Sequence, residues 1–267
     1  MDDAYRDIGR LYLALLSPEQ VRGDRLGDDA MNRWMLDVPP GAAVLDACCG
    51  IGNDVLALHR GGPTVGKGGP WTAYGSDLSE GLLEAARAMT SDHGLSGDRF
   101  RCSSFADLAS IPEWRRKFDV VIAAHAIYTA PDGIGQGSYD DYLTTSLHGM
   151  KAVLKTGGYL LTNTRDWEAL YAAGFLSATV ENRHDGEAFR CRYDWKPGPT
   201  PHSLHLATLT FERENSDERS TSTVRFIGRG VEDMQRLFQS AGFRVARTGR
   251  SGSAADPFIS FMLESDA

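Results

Sequence analysis

Apolar positions along the chain recur with two periods, and their alternation predicts the order of the elements. Short apolar runs at 43–47, 71–77, 99–103, 118–125 and 159–163 read as strands. The run from Phe118 to His125 is almost continuous, as expected for a parallel strand covered on both faces. Helical spacing fills the intervals: 53–60 (Val55, Leu56, Leu58), 79–90 (Leu82, Leu83, Ala86, Met89) and 138–154 (Leu143, Leu147, Met150, Leu154). Strand and helix alternate five times, which predicts an α/β fold on a doubly wound, Rossmann-like parallel sheet. Upstream, Ile8, Leu11, Tyr12, Leu15 and Leu16 predict a helix over 4–16 that Ser17-Pro18 breaks, and a second short helix covers 28–36.

Beyond residue 165 the rhythm changes. Segments near 176–182, 187–195, 203–213 and 221–227 alternate without long helices between them, separated by polar or proline-rich turns. They predict an antiparallel insertion of three or four strands. Helical spacing returns over 231–241 and stops at Gly242, and strands near 243–248 and 257–263 bring the main sheet to seven. Three units result: a helical cap (1–40), a core (41–165 with 229–267) and a β-rich insertion (166–228).

Composition limits the function classes. At 267 residues with 42% hydrophobic and 24% charged positions, the chain has the make-up of a globular protein with a real core. A net charge of -8 argues against a nucleic-acid partner. The basic run of Arg99, Arg101, Arg115, Arg116 and Lys117 reads as a solvated rim. No window approaches the about 18 apolar residues of a membrane span, and the acidic N-terminus does not read as a signal peptide. Cysteines 48, 49, 102 and 191 form neither a disulfide framework nor a zinc pattern. The expectation is a cytoplasmic protein with reduced thiols and no bound metal.

The chemistry gathers around Val44-Leu45-Asp46-Ala47-Cys48-Cys49-Gly50-Ile51-Gly52-Asn53-Asp54, a strand, a glycine turn and a helix start. That geometry cradles nucleotide-like ligands. The run Gly61, Gly66, Lys67 comes near a phosphate-binding loop, but residue 68 is Gly where a Ser or Thr would hold magnesium, and the loop leaves a helix for a strand. It reads as a connector. An NAD fingerprint needs a third glycine where this chain has Val55.

The stretch from Val44 to Gly52 resembles the first motif of class I S-adenosylmethionine-dependent methyltransferases. The rest of that family's pattern follows in order: Asp77 ending the second strand, Ser103-Ser104-Phe105 after the third, Phe118-Asp119-Val120-Val121 opening the fourth, and Leu154-Lys155-Thr156-Gly157-Gly158 before the fifth. The resemblance implies a seven-stranded methyltransferase sheet, S-adenosylmethionine as cofactor and S-adenosylhomocysteine as product. It places Asp46, Ala47, Gly50, Gly52 and Ala124 along the cofactor, Asp77 on the ribose, Leu78 and Phe105 on the adenine, and Ser104 at the adenine edge.

The acceptor is less legible. His125-Ala126-Ile127-Tyr128-Thr129 lacks the Asn/Asp-Pro-Pro-aromatic signature of enzymes that methylate base or amide nitrogens. Asp140-Asp141 reads as helix N-terminal charge, not as a magnesium site. Asn163-Thr164-Arg165-Asp166-Trp167, followed by a β-rich insertion, resembles the glycine and sarcosine N-methyltransferase group, in which an arginine at this place grips the substrate carboxylate. Ala126 and Ala130 stand where that group has an asparagine and a histidine. A small-molecule acceptor is expected, with His125, Tyr128 and Arg165 as its catalytic-side contacts and an amine nitrogen as its nucleophile. Small-molecule O-methylation and a binding protein without transferase activity are the alternatives, and a salt bridge to a neighbouring acid is the alternative for Arg165. The insertion is expected to lid the acceptor site with Phe189, Tyr193, Trp195, His202 and His205. The N-terminal helices either close over the cofactor or pack on a second subunit, so a homo-oligomer is left open.

Overall fold

In the computed structural model, residues 26, 28–61, 69–131, 134–175, 178–184, 187–217, 219–253 and 256–266 are described. The expected helix over 4–16 and most of the 61–70 connector lie outside them. The second cap helix is present as α1 (Asp29–Met35), with Asp28 as its N-cap.

The core strands are β1 (Ala43–Asp46), β2 (Thr72–Asp77), β3 (Phe100–Cys102), β4 (Phe118–Ala123) and β5 (Leu154–Arg165). With the C-terminal β10 (Phe243–Gly252) and β11 (Pro257–Ser265) they form one sheet of order β10-β11-β5-β4-β1-β2-β3. Successive residues of each strand feed opposite faces. Leu45, Val121, Ala123 and Leu160 join one apolar cluster, while Val44, Val120, Ile122 and Leu161 join the other. Helices α2 (Asn53–Arg60) and α3 (Glu80–Ser91) cover one face with α1; α4 (Tyr139–Val153) and α6 (Val231–Ser240) cover the other. Covering both faces is why these strands read as apolar runs.

Two features go beyond the strand and helix pattern. The connection from β3 to β4 holds two 3-10 turns, Ala106–Ser110 and Pro112–Trp114, where a helix would complete the alternation. Pro112 has no N–H to continue a helix begun at 106. The sheet is also not wholly parallel, because β11 runs antiparallel to both β10 and β5. The loop joining β10 to β11 is too short for a crossover, so that pair closes as a hairpin.

The insertion is a four-stranded antiparallel sheet, order β6-β7-β8-β9: β6 (Ala178–His184), β7 (Glu187–Lys196), β8 (Leu204–Arg213) and β9 (Arg219–Ile227). Before it comes a six-residue helix that the apolar pattern does not announce, α5 (Trp167–Ala172), capped by Asp166 accepting from the Ala169 amide. Phe189, Cys191, Ala207, Leu209, Phe211 and Phe226 of the small sheet pack with Trp167 and Leu170 of α5 and with Tyr128 and Phe258 of the core. The segment after β4 is stitched to β9 by Ala130 N–H to Arg225 O (2.9 Å) and Ile227 N–H to Tyr128 O (3.0 Å).

One glycine governs how α4 seats. A Cβ on Gly149 would overlap the carbonyl oxygen of Phe105 and crowd Ala106, so α4 lies directly on the turn that follows β3. Gly149→Ala is expected to cost about 2 kcal/mol, since the contact is backbone and no rotamer relieves it. Thermal unfolding checks this; an unchanged melting temperature would show that the turn yields freely.

Candidate active site

The carboxyl ends of β1 to β5 lie along one edge of the sheet. From β1 the chain proceeds outward to β2 and β3, then returns to place β4 on the other side of β1. Ligands of open α/β sheets bind outside the carboxyl ends of the strands, at the point where strand order reverses. Arg99 and Lys117 of the basic run sit over the Tyr74 ring (5.2 and 3.9 Å), at the amino ends of β3 and β4, the opposite edge.

Asp46 ends β1 almost fully buried, accepting from the Cys48 amide at 3.3 Å. Ala47 is buried, and its N–H reaches Ile122 O on β4 at 2.8 Å. Gly50 (φ 51°) and Gly52 (φ 85°) take left-handed conformations, and Gly52 is the N-cap of α2. This turn needs glycine, because other residues pay steric strain there. Asn53 Oδ1, in the first turn of α2, is buried without a hydrogen-bond partner. Asp77 closes the turn from β2: Oδ2 accepts from the Gly50 amide and Oδ1 from the Ser79 amide, each at 2.9 Å.

Burial raises the Asp46 carboxyl well above its ordinary pKa, and the charges of Asp54 and Asp77 push it further up. Burial, then the Asp46 charge, also raises the Cys48 and Cys49 thiols, so neither serves as a thiolate nucleophile.

The remaining expected cofactor residues follow the carboxyl ends of β2, β3 and β4. Leu78 is 48% exposed, an apolar side chain open beside Asp77. Phe105 is half-buried on the turn held by Gly149. The Ser104 hydroxyl donates to Asp107 Oδ2 at 2.6 Å and accepts from the Asp107 amide at 3.2 Å. Its proton is therefore engaged, and one lone pair remains for a ligand donor. Ala124 O accepts from the Cys48 thiol at 3.2 Å, which sets the end of β4 against the glycine turn.

His125 follows directly, exposed and with positive φ (59°). Its N–H donates to Asn163 Oδ1 at 2.7 Å. Tyr128 is buried among Trp167, Phe226 and Phe258. Arg165 is 9% exposed, and its guanidinium lies within about 5.5 Å of four ring centroids: Tyr128 (5.5 Å), Trp195 (5.3 Å), Phe226 (5.5 Å) and Phe258 (5.0 Å). Its Nη1 pairs with Asp256, while Nε is buried with no partner. The arginine thus pairs with an acid 91 positions away and retains an unused donor.

Among the expected lid residues, Phe189 is buried and Tyr193 and Trp195 are half-buried on the face of β7 turned to the core. His205 is fully buried and stacked on Trp167 at 4.9 Å. Its Nδ1 accepts from the Gly198 amide (3.0 Å), so Nε2 donates to Pro201 O (3.1 Å). Burial lowers its pKa, which leaves a neutral structural histidine. Half-buried His202 lies 3.5 Å from Glu168. Asp140 opens α4 and pairs with Arg229 at 2.8 Å.

The residues that pattern reading passes over are Asn163 and Asp28. Asn163 stands within the very motif that singled out Arg165, and a fully buried amide on a central strand must find partners. Asp28 leaves only an N-cap signature before α1.

A family model described as a methyltransferase domain matches residues 39–190, more than half of the chain, and the protein belongs to that family. It is a methyltransferase with the class I fold, as solved structures with the same architecture bear out. Streptomyces venezuelae DesVI aligns over 100% of both chains with TM-score 0.65 and 15% identity. An S-adenosylmethionine-dependent methyltransferase from Clostridium acetobutylicum ATCC 824 aligns over 98% of this chain and 96% of its own, with TM-score 0.64 and 15% identity. The sugar N-methyltransferase KedS8 from Streptoalloteichus sp ATCC 53650 aligns over 93% and 91%, with TM-score 0.61 and 17% identity. No curated protein sequence matches the chain.

Proposed function

We propose that the protein transfers a methyl group from S-adenosylmethionine to the amine nitrogen of a small amino/carboxylate metabolite. The observation that carries the cofactor in this reading is the meeting, at one glycine turn, of three acids (Asp46, Asp54, Asp77) with a buried acceptor, Asn53 Oδ1, that has no partner among the described residues. A pyrophosphate brought to that turn meets like charge. A ligand with a sulfonium and an α-ammonium meets opposite charge and supplies the donor that Asn53 lacks.

When bound, S-adenosylmethionine supplies an electrophilic methyl carbon for in-line displacement. The chain supplies binding and alignment. Gly50 and Gly52 admit the methionyl part to the backbone beside Asp46 and Ala47. Asp77 accepts from the ribose hydroxyls, and Leu78 and Phe105 enclose the adenine, with Ser104 at its edge. Ala124 leads the chain to His125, which with Tyr128 and Arg165 places the acceptor beneath the insertion. A neutral amine carries its own lone pair, so alignment and exclusion of water are the main demands on the protein. The C–N bond forms as the methyl carbon's bond to sulfur breaks and leaves the neutral thioether, and the methylated ammonium gives its proton to water.

A second reading has one observation in its favour. Arg165 already pairs with Asp256, which suits an uncharged acceptor such as an amino sugar, and KedS8 is described as a sugar N-methyltransferase. Turnover of labelled cofactor with panels of amino acids and amino sugars separates the two; cofactor binding without product in any panel would sink both.

The Asp46 carboxyl supplies an independent check. Its raised pKa means that the ligand-free fold is most favoured with Asp46 protonated and loses that stability as pH rises through the raised value. A cationic ligand favours the ionised form. Cofactor binding should therefore release protons and tighten with rising pH over the range above ordinary carboxylate values. Calorimetry in two buffers of different ionisation enthalpy measures the release, and its absence would contradict the charge match.

A further inference from the structure

Where β4 ends, the chain turns through His125, a residue with a side chain in the left-handed region (φ 59°). Such a conformation persists only where its surroundings hold it. Phe258 of β11 meets the ring edge-on at 4.5 Å between centroids, and Asn163 of β5 receives the His125 amide at 2.7 Å. The Nδ2 of Asn163 donates to Asp28 Oδ2 at 2.9 Å. These two bonds fix which way the Asn163 amide faces. A backbone N–H only donates and a carboxylate only accepts, so the oxygen faces His125 and the NH2 faces Asp28. The same Nδ2 stands 3.3 Å from His125 Nδ1. An amide nitrogen only donates, so Nδ1 is the acceptor and the neutral ring carries its proton on Nε2.

Asp28 is built to hold this arrangement. It is 1% exposed, and Oδ1 accepts from the Ala30 and Met31 amides at 2.9 Å. Oδ2 accepts from the hydroxyls of Ser251 (2.7 Å) and Ser260 (2.8 Å) as well as from Asn163. Burial acts to raise its pKa, but the bonds from Ser251, Met31, Asn163 and Ser260 outweigh burial and keep the carboxyl below its ordinary value. The N-cap of α1 and strands β10 and β11 thus converge on one carboxylate, which orients one amide, which orients one histidine.

We propose that Asp28 and Asn163 are positioning residues that hold His125 as the Nε2–H tautomer, so that it donates a hydrogen bond to an oxygen of the acceptor and does not take a proton from the nucleophile. This rests on the methyl-transfer reading and deepens it. The acceptor is an amine delivered neutral, with a hydroxyl or carboxylate oxygen close to the nitrogen that is methylated. An alcohol that needs a histidine base does not fit.

The test begins with the unaltered protein. Ring-nitrogen NMR of protein labelled with 15N-histidine, with the His125 signals assigned by their loss in His125→Gln, is expected to show the proton on Nε2. In Asn163→Leu, which keeps the bulk and removes the donor, the His125 signals should shift to a mixture of tautomers. In kinetics, His125→Gln keeps an N–H at the outer end of the side chain. It should recover about tenfold of the kcat/KM lost in His125→Ala, the worth of one hydrogen bond, with the loss appearing in acceptor KM. A proton on Nδ1 in the unaltered protein, or a glutamine variant no better than alanine with the loss confined to kcat, would overturn the proposal. Calorimetric titration of the unaltered protein with cofactor is read alongside: failure to bind would remove the methyl-transfer reading, whereas the NMR result bears on the relay alone.

Discussion

Asp77→Ala is expected to weaken cofactor binding by about 10²–10⁴-fold. In the proposed complex the two ribose hydroxyls donate to one carboxylate, and hydrogen bonds to a charged acceptor are worth about 1.5–3 kcal/mol each. Asp77 is prepared for this by its own fixation. The Gly50 amide holds one oxygen and the Ser79 amide the other, so the carboxylate loses little freedom when a ligand arrives. The same substitution leaves the Gly50 N–H without its acceptor, so the turn loosens as well. Asp77→Asn retains an acceptor but not the charge, and its affinity should fall between the two. Calorimetric titration with S-adenosylhomocysteine measures the effect directly. A loss under about fivefold would mean the ribose is not held there, since even one neutral hydrogen bond reaches roughly that size.

Arg165→Met should raise the KM for a carboxylate-bearing acceptor by about 100-fold while leaving cofactor affinity unchanged, because a bidentate guanidinium–carboxylate contact is lost. Methionine keeps an apolar, unbranched chain among Tyr128, Trp195, Phe226 and Phe258, so the seam between core and insertion stays filled. The partner left behind, Asp256, is 44% exposed in its side chain and can turn to water, so stability should change by less than about 1 kcal/mol. The complementary variant is Asp256→Asn. If the acid occupies the fork that a substrate carboxylate takes, removing its charge should lower acceptor KM several-fold. For an uncharged acceptor, both substitutions should leave KM nearly unchanged. The pair of variants therefore decides between an amino acid and an amino sugar, whichever way the acceptor panels turn out.

How much of this was legible in the chain differs from element to element. The core strands and their helices follow from alternation and helical spacing, because burial on one face or both is written locally into apolar positions. The left-handed glycines at 50 and 52 follow from the strand-turn-helix pattern, and Asp77 sits at the strand end where an acid was expected. The short helix α5 was not legible, since fewer than two turns carry no periodicity. The 3-10 turns between β3 and β4, which bury Leu108 and Trp114, were not legible either, since such short turns carry no periodicity. Alternation marked β11 as a strand but was silent on its direction, which depends on the loop from β10.

By itself the sequence determined the seven-stranded α/β core, the β-rich insertion and the glycine turn with its acids, all of which depend on residues close together along the chain. Only the tertiary structure decided what Arg165, Asn163 and His125 face. Arg165 meets Asp256 across 91 positions, Asn163 meets Asp28 across 135, and Ser260 meets the same carboxylate across 232. Any of the chain's acids is a plausible partner for a given arginine or amide, and residue spacing does not distinguish among them. The choice falls to burial, which leaves polar groups enclosed by the sheet only the partners that folding brings within hydrogen-bond reach.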